Sequence, residues 1–403
     1  MKILFADAIP ESYVDLLRRQ GDECIVSPEL GAADIPDVIV GVDVLVVRST
    51  KVTAATIKRS DNLGLIVRAG AGTNTIDCQA ASDSGIYVCN VPGTNSVAVA
   101  ELTLGLLLAL DRHISAAAND LRNGIWNKKG YSEADGLMGK TFGIIGVGEI
   151  GLAVAERARS FGMTVVAERK ANRQPDIEAR IRSIGIRLVD DLDAILAESD
   201  IVSIHVPGGE QTVNLVDAGF LDLMKPNSIL LNTSRGEVVD EEALLDAIES
   251  KGIRAGLDVF RNEPGDSTGE FTSRLAAHPS VVGTHHIGAS TQQAQDATSA
   301  GTIDVIEAYR AGDPTNCVNV VRTRVGTTTI TIRHFDRVGV LAAALSVLRK
   351  ADINVQTMAN KVFEGSNAAM AIIDVSREVT EDVSRQLAAL DNVIQVQTRE
   401  RDQ

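Results

Sequence analysis

The chain carries the motif Gly146-Val-Gly148-Glu-Ile-Gly151, a GxGxxG pattern. An apolar run at Phe142–Ile145 leads into the motif, and a helical pattern at Leu152–Phe161 follows it. Between a strand and a helix, the three glycines permit a tight turn, close approach of a pyrophosphate to the backbone, and close packing of the helix on the strand. Unpaired N–H groups at the start of the helix then face the phosphates. The motif therefore predicts a dinucleotide-binding site.

Short apolar runs recur on both sides of this motif and alternate with helical patterns, including one long helix predicted over 97–119. Such runs are typical of buried parallel strands. Alternating strands and helices predict open parallel sheets covered on both faces, so the expected fold class is α/β with two doubly wound lobes. The predicted strands are Lys2–Ala6, Val44–Val47, Leu65–Val67, Phe142–Ile145, Thr164–Val166, Ile201–Ile204, Ser228–Leu231 and Val281–Val282.

The pattern changes after Gly312-Asp-Pro314, which ends a helix and is followed by a polar stretch to about residue 326. Strand-like alternation and helical runs then predict a βαββαβ unit over 327–403. The elements placed by the pattern are strands at Thr327–Ile332, Asn367–Asp374 and Val393–Gln397, and helices at Val338–Leu348 and Glu381–Leu390.

Composition and charge exclude several classes of protein. The chain has 403 residues, too many for one ordinary domain, and its net charge of −15 disfavours binding to nucleic acids or membrane surfaces. No apolar run reaches the ~18 residues of a membrane span, and the N-terminus resembles a strand rather than a signal peptide. The four cysteines include no CxxC pair, so we expect no metal site and no disulfide framework. The expectation is a cytoplasmic protein with reduced thiols.

Several reactive side chains follow predicted strands, at the sheet edge where ligands bind in open α/β folds. His205 comes directly after such a strand, the segment Asn232-Thr-Ser-Arg235 follows another, and Glu263 and His286 follow later in the same region. Histidine exchanges a proton near neutral pH, and a carboxylate beside it would raise its pKa and fix its ring. An arginine, a glutamate and a histidine on one nucleotide-binding sheet therefore indicate an active site.

The chain resembles the D-isomer-specific 2-hydroxyacid dehydrogenases over essentially its whole length, and within them the ACT-domain type of phosphoglycerate dehydrogenase. Besides GxGxxG, the resemblance rests on Arg235 in Asn-Thr-Ser-Arg-Gly-Glu, Glu263 in Asp-Val-Phe-Arg-Asn-Glu-Pro and His286 in His-Ile-Gly-Ala-Ser-Thr. It implies a nucleotide-binding lobe (98–284) inserted in a substrate lobe (1–97 and 285–312), a linker (313–326) and a C-terminal ACT domain (327–403).

The same resemblance implies a reaction: oxidation of 3-phospho-D-glycerate to 3-phosphohydroxypyruvate, the first step of L-serine biosynthesis. Arg235 would hold the substrate carboxylate and 2-oxygen, while His286, tuned by Glu263, would take the hydroxyl proton as hydride leaves C2. Two alternatives stay open. One is a hydroxypyruvate or glyoxylate reductase using NAD(P)H, and the other is a non-catalytic NAD(H)-sensing binding protein.

The expected cofactor is NAD, with NADP as the alternative. Glu168 lies where an acid that binds the ribose is expected, but Arg169 and Lys170 follow directly and would suit the 2′-phosphate of NADP. Aligned on Gly162-Met, the usual acid of the family falls on Arg169. The other predicted cofactor contacts are Gly146, Gly148, Glu149, Ile150, Gly151, His205, Val206, Pro207, Thr233, Ser234, Asp258 and Gly288.

Arg48 and Arg68 end neighbouring predicted strands beside glycine-rich or polar turns, and they match arginines expected to meet the phosphate and carboxylate of the substrate. The segment that begins at Arg48 is one residue shorter than in many relatives. Further substrate contacts are expected at Ser49, Gly70, Asn95 and Lys128.

The resemblance also implies regulation and assembly. His334, Asp336 and Asn354 match positions that contact serine in serine-inhibited relatives, with Asp336 in place of an asparagine. We therefore expect an L-serine effector at the ACT domain. A homo-oligomer, dimer or tetramer, is also expected, because a segment around Trp126 resembles one that crosses to a neighbouring subunit.

Overall fold

A computed structural model describes residues 1–171, 173–264, 268–321 and 326–400. These residues form two compact units, Met1–Asn319 and Val320–Gln403. The first unit contains two parallel sheets, and the second contains one antiparallel sheet. Among the described residues, no helix combines the length and apolar character that a membrane span requires.

The first sheet has five parallel strands in the order β2-β1-β3-β4-β5. Its central strands are uniformly apolar because helices bury both of their faces. The strands are β1 (Lys2–Phe5), β2 (Glu23–Val26), β3 (Val44–Val47), β4 (Leu65–Arg68) and β5 (Tyr87–Asn90), and the helices between them are α1 (Glu11–Arg19), α2 (Ile35–Val38), α3 (Ala54–Arg59) and α4 (Cys78–Asp83).

The second sheet has seven parallel strands in the order β12-β11-β10-β9-β6-β7-β8. The strands are β6 (Thr141–Ile145), β7 (Thr164–Glu168), β8 (Arg187–Val189), β9 (Ile201–Ile204), β10 (Ile229–Asn232), β11 (Arg254–Leu257) and β12 (Val281–Gly283). The helices are α5 (Ser96–Asp111), α6 (Ile114–Arg122), α7 (Glu149–Ser160), α8 (Pro175–Ile184), α9 (Leu192–Glu198), α10 (Ala218–Leu223) and α11 (Glu241–Lys251), with a short 3₁₀ turn at Gly236–Val238. The strand order reverses between β6 and β9, the position where such sheets bind ligands.

The long helix predicted over 97–119 is two helices. His113 adopts a left-handed backbone conformation (φ 53°) between α5 and α6, and this ends the first helix. Helix α5 is buried along most of its length, whereas α6 buries no residue. The predicted lobe boundary at 97/98 falls inside α5, which begins at Ser96.

The chain returns to the first sheet through α12 (Gln292–Arg310), whose N-terminus is capped by the side chain of Thr291. Ile303, Val305 and Ile306 pack into the same core as strands β4 and β5. Residues of α12 therefore complete the core on one face of the first sheet.

The second unit has the order βαββαβ. Its sheet is antiparallel, in the order β14-β15-β13-β16, and its two helices share one apolar core with it. The elements are β13 (Thr328–Phe335), α13 (Val340–Lys350), β14 (Val355–Val362), β15 (Ala368–Val375), α14 (Glu381–Ala388) and β16 (Val393–Glu400). Of the predicted linker and ACT domain, 322–325 and 401–403 lie outside the described residues.

Candidate active site between two parallel sheets

The glycine motif forms a tight turn between β6 and α7. Gly146 has φ +99°, and a Cβ there would lie 2.5 Å from the carbonyl oxygen of His205. A Cβ at Gly151 would lie 2.2 Å from the oxygen of Gly146, whereas one at Gly148 would meet nothing within 4 Å. The turn therefore packs tightly against the protein at Gly146 and Gly151, whereas the space beside Gly148, the residue before α7, is open. This is the arrangement a pyrophosphate needs, so the residues fit a bound dinucleotide.

Two further predicted cofactor residues, Glu149 and Glu168, lie at this edge. Glu149 opens α7 and pairs with Arg180 at 2.8 Å. Glu168 ends β7, and its carboxylate pairs with Lys170 at 3.3 Å. Arg169 directs its side chain towards Asp190 and is 62% exposed. Both the acid that suits NAD and the cations that suit NADP are therefore present at the end of β7.

The imidazole of His286 and the carboxylate of Glu263 form a close pair. His286 Nδ1 and Glu263 Oε2 are 2.7 Å apart, and Glu263 Oε1 accepts a hydrogen bond from the amide of Phe260 at 2.7 Å. Burial alone would raise the pKa of Glu263, but these hydrogen bonds hold it below its ordinary value. The hydrogen bond to Glu263 raises the pKa of His286, against the opposing effect of burial. The pair can therefore exchange a proton through the other nitrogen of the ring, Nε2.

Asp258, a predicted cofactor contact, holds the loop that carries His286. Its buried carboxylate accepts hydrogen bonds from the Thr284 hydroxyl (2.6 Å) and from the amides of Ile287 (2.9 Å) and Gly288 (2.8 Å). A Cβ at Gly288 would approach Asp258 Oδ2 to 3.0 Å. His286 itself has φ +52°, a conformation that is uncommon for a residue with a side chain and needs such support.

Arg235 follows β10 in a turn held by Asn232, whose side-chain oxygen accepts hydrogen bonds from the amide and hydroxyl of Ser234. The guanidinium donates to the oxygen of Ser234 at 2.7 Å and lies against the first lobe, because a Cβ at Gly72 would be 3.0 Å from Arg235 Nη2. Its positive charge partly offsets the rise in the pKa of His286 and adds to the lowering of the pKa of Glu263. Arg235 therefore acts electrostatically on the His–Glu pair.

Arg48 follows β3 and Arg68 is the last residue of β4, and with Arg235 they form what we call the arginine cluster. Burial, followed by the charges of Arg235 and Arg48, lowers the pKa of Arg68. Its Nε is buried without a hydrogen-bond partner. Its side chain lies over Gly70, where a Cβ would be 1.7 Å from Nη1. Within the described ranges, neither Arg48 nor Arg68 forms an ion pair.

The loop after β3 is organised by Asp7. Its Oδ2 accepts hydrogen bonds from the backbone amides of Arg48 (2.7 Å), Ser49 (3.2 Å) and Thr50 (3.1 Å). Three convergent amides make a favourable place for an anion, and here a carboxylate of the protein fills it. A substrate anion at this loop must therefore rely on the arginine side chains.

Arg48 and Arg68 at the edge of the first sheet and His286, which follows β12 of the second sheet, line one cavity of about 380 Å³. It brings together side chains at the edges of the two sheets, and its size suits a small organic anion. Its predicted members are Arg48, Ser49, Arg68, Gly70, Asn95 and His286. Asp7 and Ser290 also line it and were not predicted; Asp7 could have been noticed as an acid that closely follows β1.

Lys128, a predicted substrate contact, is not among the residues that line the cavity. It lies on an exposed segment after α6.

The side chain of His205 is not placed to act as a reactive group. Its Nε2 pairs with the Ser203 hydroxyl at 2.8 Å, its Nδ1 is buried, and burial lowers its pKa to about 3. The His205 ring is therefore neutral, and its backbone, rather than its ring, adjoins the glycine turn.

The remaining predicted cofactor residues lie at the carboxyl ends of β9 and β10. Thr233 shares a hydrogen bond with Thr103 at 3.0 Å, so its hydroxyl and that of Ser234 are engaged within the protein. Val206 and Pro207 follow β9 and become progressively more exposed, and Ile150 lies in the first turn of α7. Of these positions, Val206 and Ile150 border the glycine turn.

The three predicted effector residues do not form one cluster in a single chain. His334 is buried, and its ring pairs with the oxygen of Phe335 (2.8 Å) and with Asn360 (3.2 Å). His334 pairs with Ala369, whereas Asn354 lies next to the pair Val355–Val375 at the other end of β15. Six residues of strand separate these ends, roughly 20 Å. Of the other two effector residues, Asp336 lies near His334, two positions along the chain, and not near Asn354.

The glycine turn fits a dinucleotide and lies on one of two parallel sheets, and residues at the edges of both sheets line one cavity. These features define a two-lobe dinucleotide-binding protein. Residues 104–288 match the family model described as D-isomer specific 2-hydroxyacid dehydrogenase, NAD binding domain. The chain belongs to the D-isomer specific 2-hydroxyacid dehydrogenase family and carries its NAD-binding domain.

Named relatives agree with this membership. A D-3-phosphoglycerate dehydrogenase of Methanocaldococcus jannaschii is 38% identical over 81% of this chain, but the match spans only 61% of that relative. A hydroxypyruvate reductase of Thermotoga maritima is 42% identical over 72% of this chain and 92% of its own length. A formate dehydrogenase of Staphylococcus aureus, solved in complex with NAD, has a TM-score of 0.65 and 28% identity, covering 78% of this chain and 97% of that one.

Proposed function

We propose that the protein oxidises 3-phospho-D-glycerate to 3-phosphohydroxypyruvate with NAD, the entry reaction of L-serine biosynthesis. The observation that carries this proposal is the arginine cluster. Arg48 and Arg68 lack ion pairs among the described residues and share a cavity with His286. Three neighbouring cations repel one another, so the site favours a ligand with more than one negative group.

His286 and Arg235 supply the chemistry at C2. His286, held by Glu263, takes the proton of the 2-hydroxyl and returns it in the reverse direction. Arg235 binds the substrate carboxylate and stabilises the negative charge that develops on the 2-oxygen. When NAD is bound at the glycine turn, it supplies the acceptor of the hydride. The side chains of Arg48 and Arg68 bind the phosphate.

A reductase for hydroxypyruvate or glyoxylate is the second candidate. It is favoured by the Thermotoga maritima relative and by the short loop after β3, whose amides are occupied by Asp7. A binding protein that only senses NAD(H) is disfavoured, because it has no need for the hydrogen-bonded pair of His286 and Glu263.

Initial rates of NADH oxidation with phosphohydroxypyruvate and with hydroxypyruvate test the proposal. We expect kcat/KM to be at least about 100-fold higher for the phosphorylated substrate, which corresponds to about 2.7 kcal/mol of transition-state discrimination. Equal rates, or a preference for hydroxypyruvate, would assign the reductase activity. Binding of NADH without turnover of either substrate would assign the sensor.

The same assay with NADPH tests the choice of cofactor. We propose that NAD is preferred, because Glu168 at the end of β7 can bind the 2′-hydroxyl of ribose and would repel a 2′-phosphate. Arg169 instead favours NADP, since its exposed guanidinium can turn towards the 2′-phosphate. A higher kcat/KM with NADPH would contradict the assignment of Glu168.

We further propose that the second unit is an ACT regulatory domain, that the protein forms a homo-oligomer in the cytoplasm, and that L-serine is its effector. The βαββαβ order supports the first point. The segment from α6 onward supports the second, because it exposes Leu121 (58%) and Trp126 (81%). The wide separation of His334 and Asn354 means that a serine site using both requires two chains. Light scattering with and without L-serine, together with the inhibition curve, tests these points.

A further inference from the structure

Two cysteines that the active site does not use face each other in the first unit. Cys89 lies on β5, and Cys317 lies on the segment that follows α12. Their Sγ atoms are 3.0 Å apart, although the residues are 228 positions apart in sequence. The two residues form an isolated antiparallel bridge, so the segment around Cys317 adds a short strand to the edge of the five-stranded sheet.

The backbone of this bridge has the geometry that a disulfide requires. The amide of Asn90 donates to the oxygen of Asn316 (3.3 Å), and the amide of Val318 donates to the oxygen of Val88 (2.8 Å). These bonds flank Cys89 and Cys317, which are therefore a non-hydrogen-bonded pair with Cα atoms about 4.5 Å apart. That separation lies within the range of about 4.4–6.8 Å found for disulfides. The sulfurs can bond without a movement of the backbone.

The two cysteines differ in their exposure to solvent. Cys89 is fully buried (0% exposed), and burial raises the pKa of its thiol. Cys317 lies at the surface side (9% exposed), between exposed residues of a short segment. Besides the bridge, this segment is held by Asn319, whose side chain bonds the amide of Val88 (2.9 Å) and the oxygen of Ile86 (2.8 Å). A small oxidant therefore reaches Cys317 first.

We propose that Cys89 and Cys317 form a reversible disulfide on exposure to a peroxide. The thiolate of Cys317 attacks one peroxide oxygen, which breaks the O–O bond, releases water after protonation and leaves a sulfenic acid. The thiolate of Cys89 then attacks the sulfur of Cys317, and the sulfenic oxygen leaves as a second water. Two thiols are oxidised to one disulfide and one peroxide is reduced to two waters. A dithiol reductant reverses the change.

The bond would tie β5 to the chain that leads into the second unit. It closes a very long loop, and a crosslink across a long loop restricts the unfolded chain strongly. The oxidised protein should therefore melt several degrees higher than the reduced protein, and a dithiol should abolish the difference. The next residue after Cys89, Asn90, donates to the oxygen of Ala71, in the turn that follows Arg68. The cysteine pair thus borders the arginine cluster without belonging to it.

The test treats the full-length protein with hydrogen peroxide, at low molar excess, and follows its intact mass and its tryptic peptides. We expect a loss of two hydrogens and a reducible peptide pair that contains Cys89 and Cys317. The matched control is Cys24→Ser/Cys78→Ser, which keeps the pair and should behave as the wild type. Unlinked Cys89 and Cys317 peptides in the treated native protein, or linkage only to Cys24 or Cys78, would overturn the proposal.

Two single variants separate the roles of the thiols. Cys89→Ala should accumulate a sulfenic acid at Cys317 that dimedone traps, whereas Cys317→Ser should give no dimedone adduct at Cys89. The reverse pattern would overturn the assigned order of attack. If either variant fails to fold, the peptide map of the wild type still decides whether the disulfide forms.

Discussion

The two charged groups of the candidate active site are built in opposite ways. Glu263 and His286 are a compensated pair: acid and base are hydrogen-bonded at 2.7 Å, and each shifts the pKa of the other towards its charged form. In the arginine cluster, burial and then the charges of Arg235 and Arg48 instead lower the pKa of Arg68. The first group is complete without a ligand. In the second, the positive charges of the arginines repel one another, and only a bound anion compensates them.

This difference predicts how each group responds to substitution. Removing a member of the compensated pair leaves a charged partner without its counterpart, so the chemistry should suffer with every substrate. Removing Arg48 or Arg68 relieves repulsion within the arginine cluster, so the fold should tolerate it and the activity with phosphorylated substrates should suffer most.

The largest effect is expected for His286→Asn, which keeps a polar side chain but removes the proton-transfer group. General acid–base catalysis is worth about 10²–10⁴-fold, so kcat should fall by that factor with any 2-oxoacid that the enzyme reduces. Steady-state rates and NADH binding measured side by side separate chemistry from binding. His285→Asn is the matched control, because His285 is exposed and adjacent in sequence. Turnover that survives in His286→Asn would remove His286 from the mechanism.

Glu263→Gln should move the pH profile. Glu263 raises the pKa of His286, and the amide cannot stabilise the imidazolium by charge, so the pKa of His286 should fall. Reduction needs protonated His286 and declines as pH rises through its pKa, so this decline should begin at a lower pH in the variant. At a pH above both pKa values, the rate should be about tenfold lower for each pH unit by which the decline moves. Glu242→Gln, which removes an exposed ion pair, should leave the profile unchanged. An unchanged decline in Glu263→Gln would mean that another group sets it.

Asp258→Asn tests whether this buried residue supports the loop of His286. The new NH₂ group would face backbone amides that now donate to a carboxylate, which should lower the free energy of unfolding by about 1–3 kcal/mol. We expect a loss of kcat together with the loss of stability, measured by urea denaturation and steady-state kinetics. A stable variant with weakened NADH binding alone would assign Asp258 to the cofactor instead.

The smallest effect is expected for Arg169→Ala. The side chain is exposed and pairs only loosely with Asp190, so kcat/KM with NADH should stay within about threefold of the wild type. Any residual activity with NADPH should fall further than activity with NADH, because the residue that can meet a 2′-phosphate is gone. Equal changes with both cofactors would show that Arg169 does not sense the phosphate.

Much of the fold could be predicted from the sequence, because buried parallel strands are short apolar runs and the glycine motif fixes the place of one turn. Strands β3 and β9 lie where the sequence predicts them. Strand β2 was not predicted, because it lies at a sheet edge, begins with an exposed glutamate and is only partly buried over its short apolar run Cys24-Ile-Val26. The break between α5 and α6 was also missed, since the left-handed conformation of His113 leaves no mark in the apolar pattern.

At the site, sequence reasoning found the groups that carry charge but not what holds them. The pairing of His286 with Glu263 agrees with the prediction, whereas the support of the His286 loop by Asp258 and the filling of the amides after β3 by Asp7 depend on contacts across the sheet. For His205, the sequence suggested a chemical role that its surroundings in the structure do not support. A histidine at a strand end suggests chemistry, but its burial and its bond to Ser203 are visible only in three dimensions.

Arg68→Gln tests most directly whether the arginine cluster selects a phosphorylated substrate. The wild type and this variant should each be measured with phosphohydroxypyruvate and with hydroxypyruvate, with Arg59→Gln as a surface control. We predict that Arg68→Gln lowers kcat/KM about 100-fold for the phosphorylated substrate and by less than about threefold for the other. Equal losses with both substrates would contradict the claim, because Arg68 would then not be acting on the phosphate.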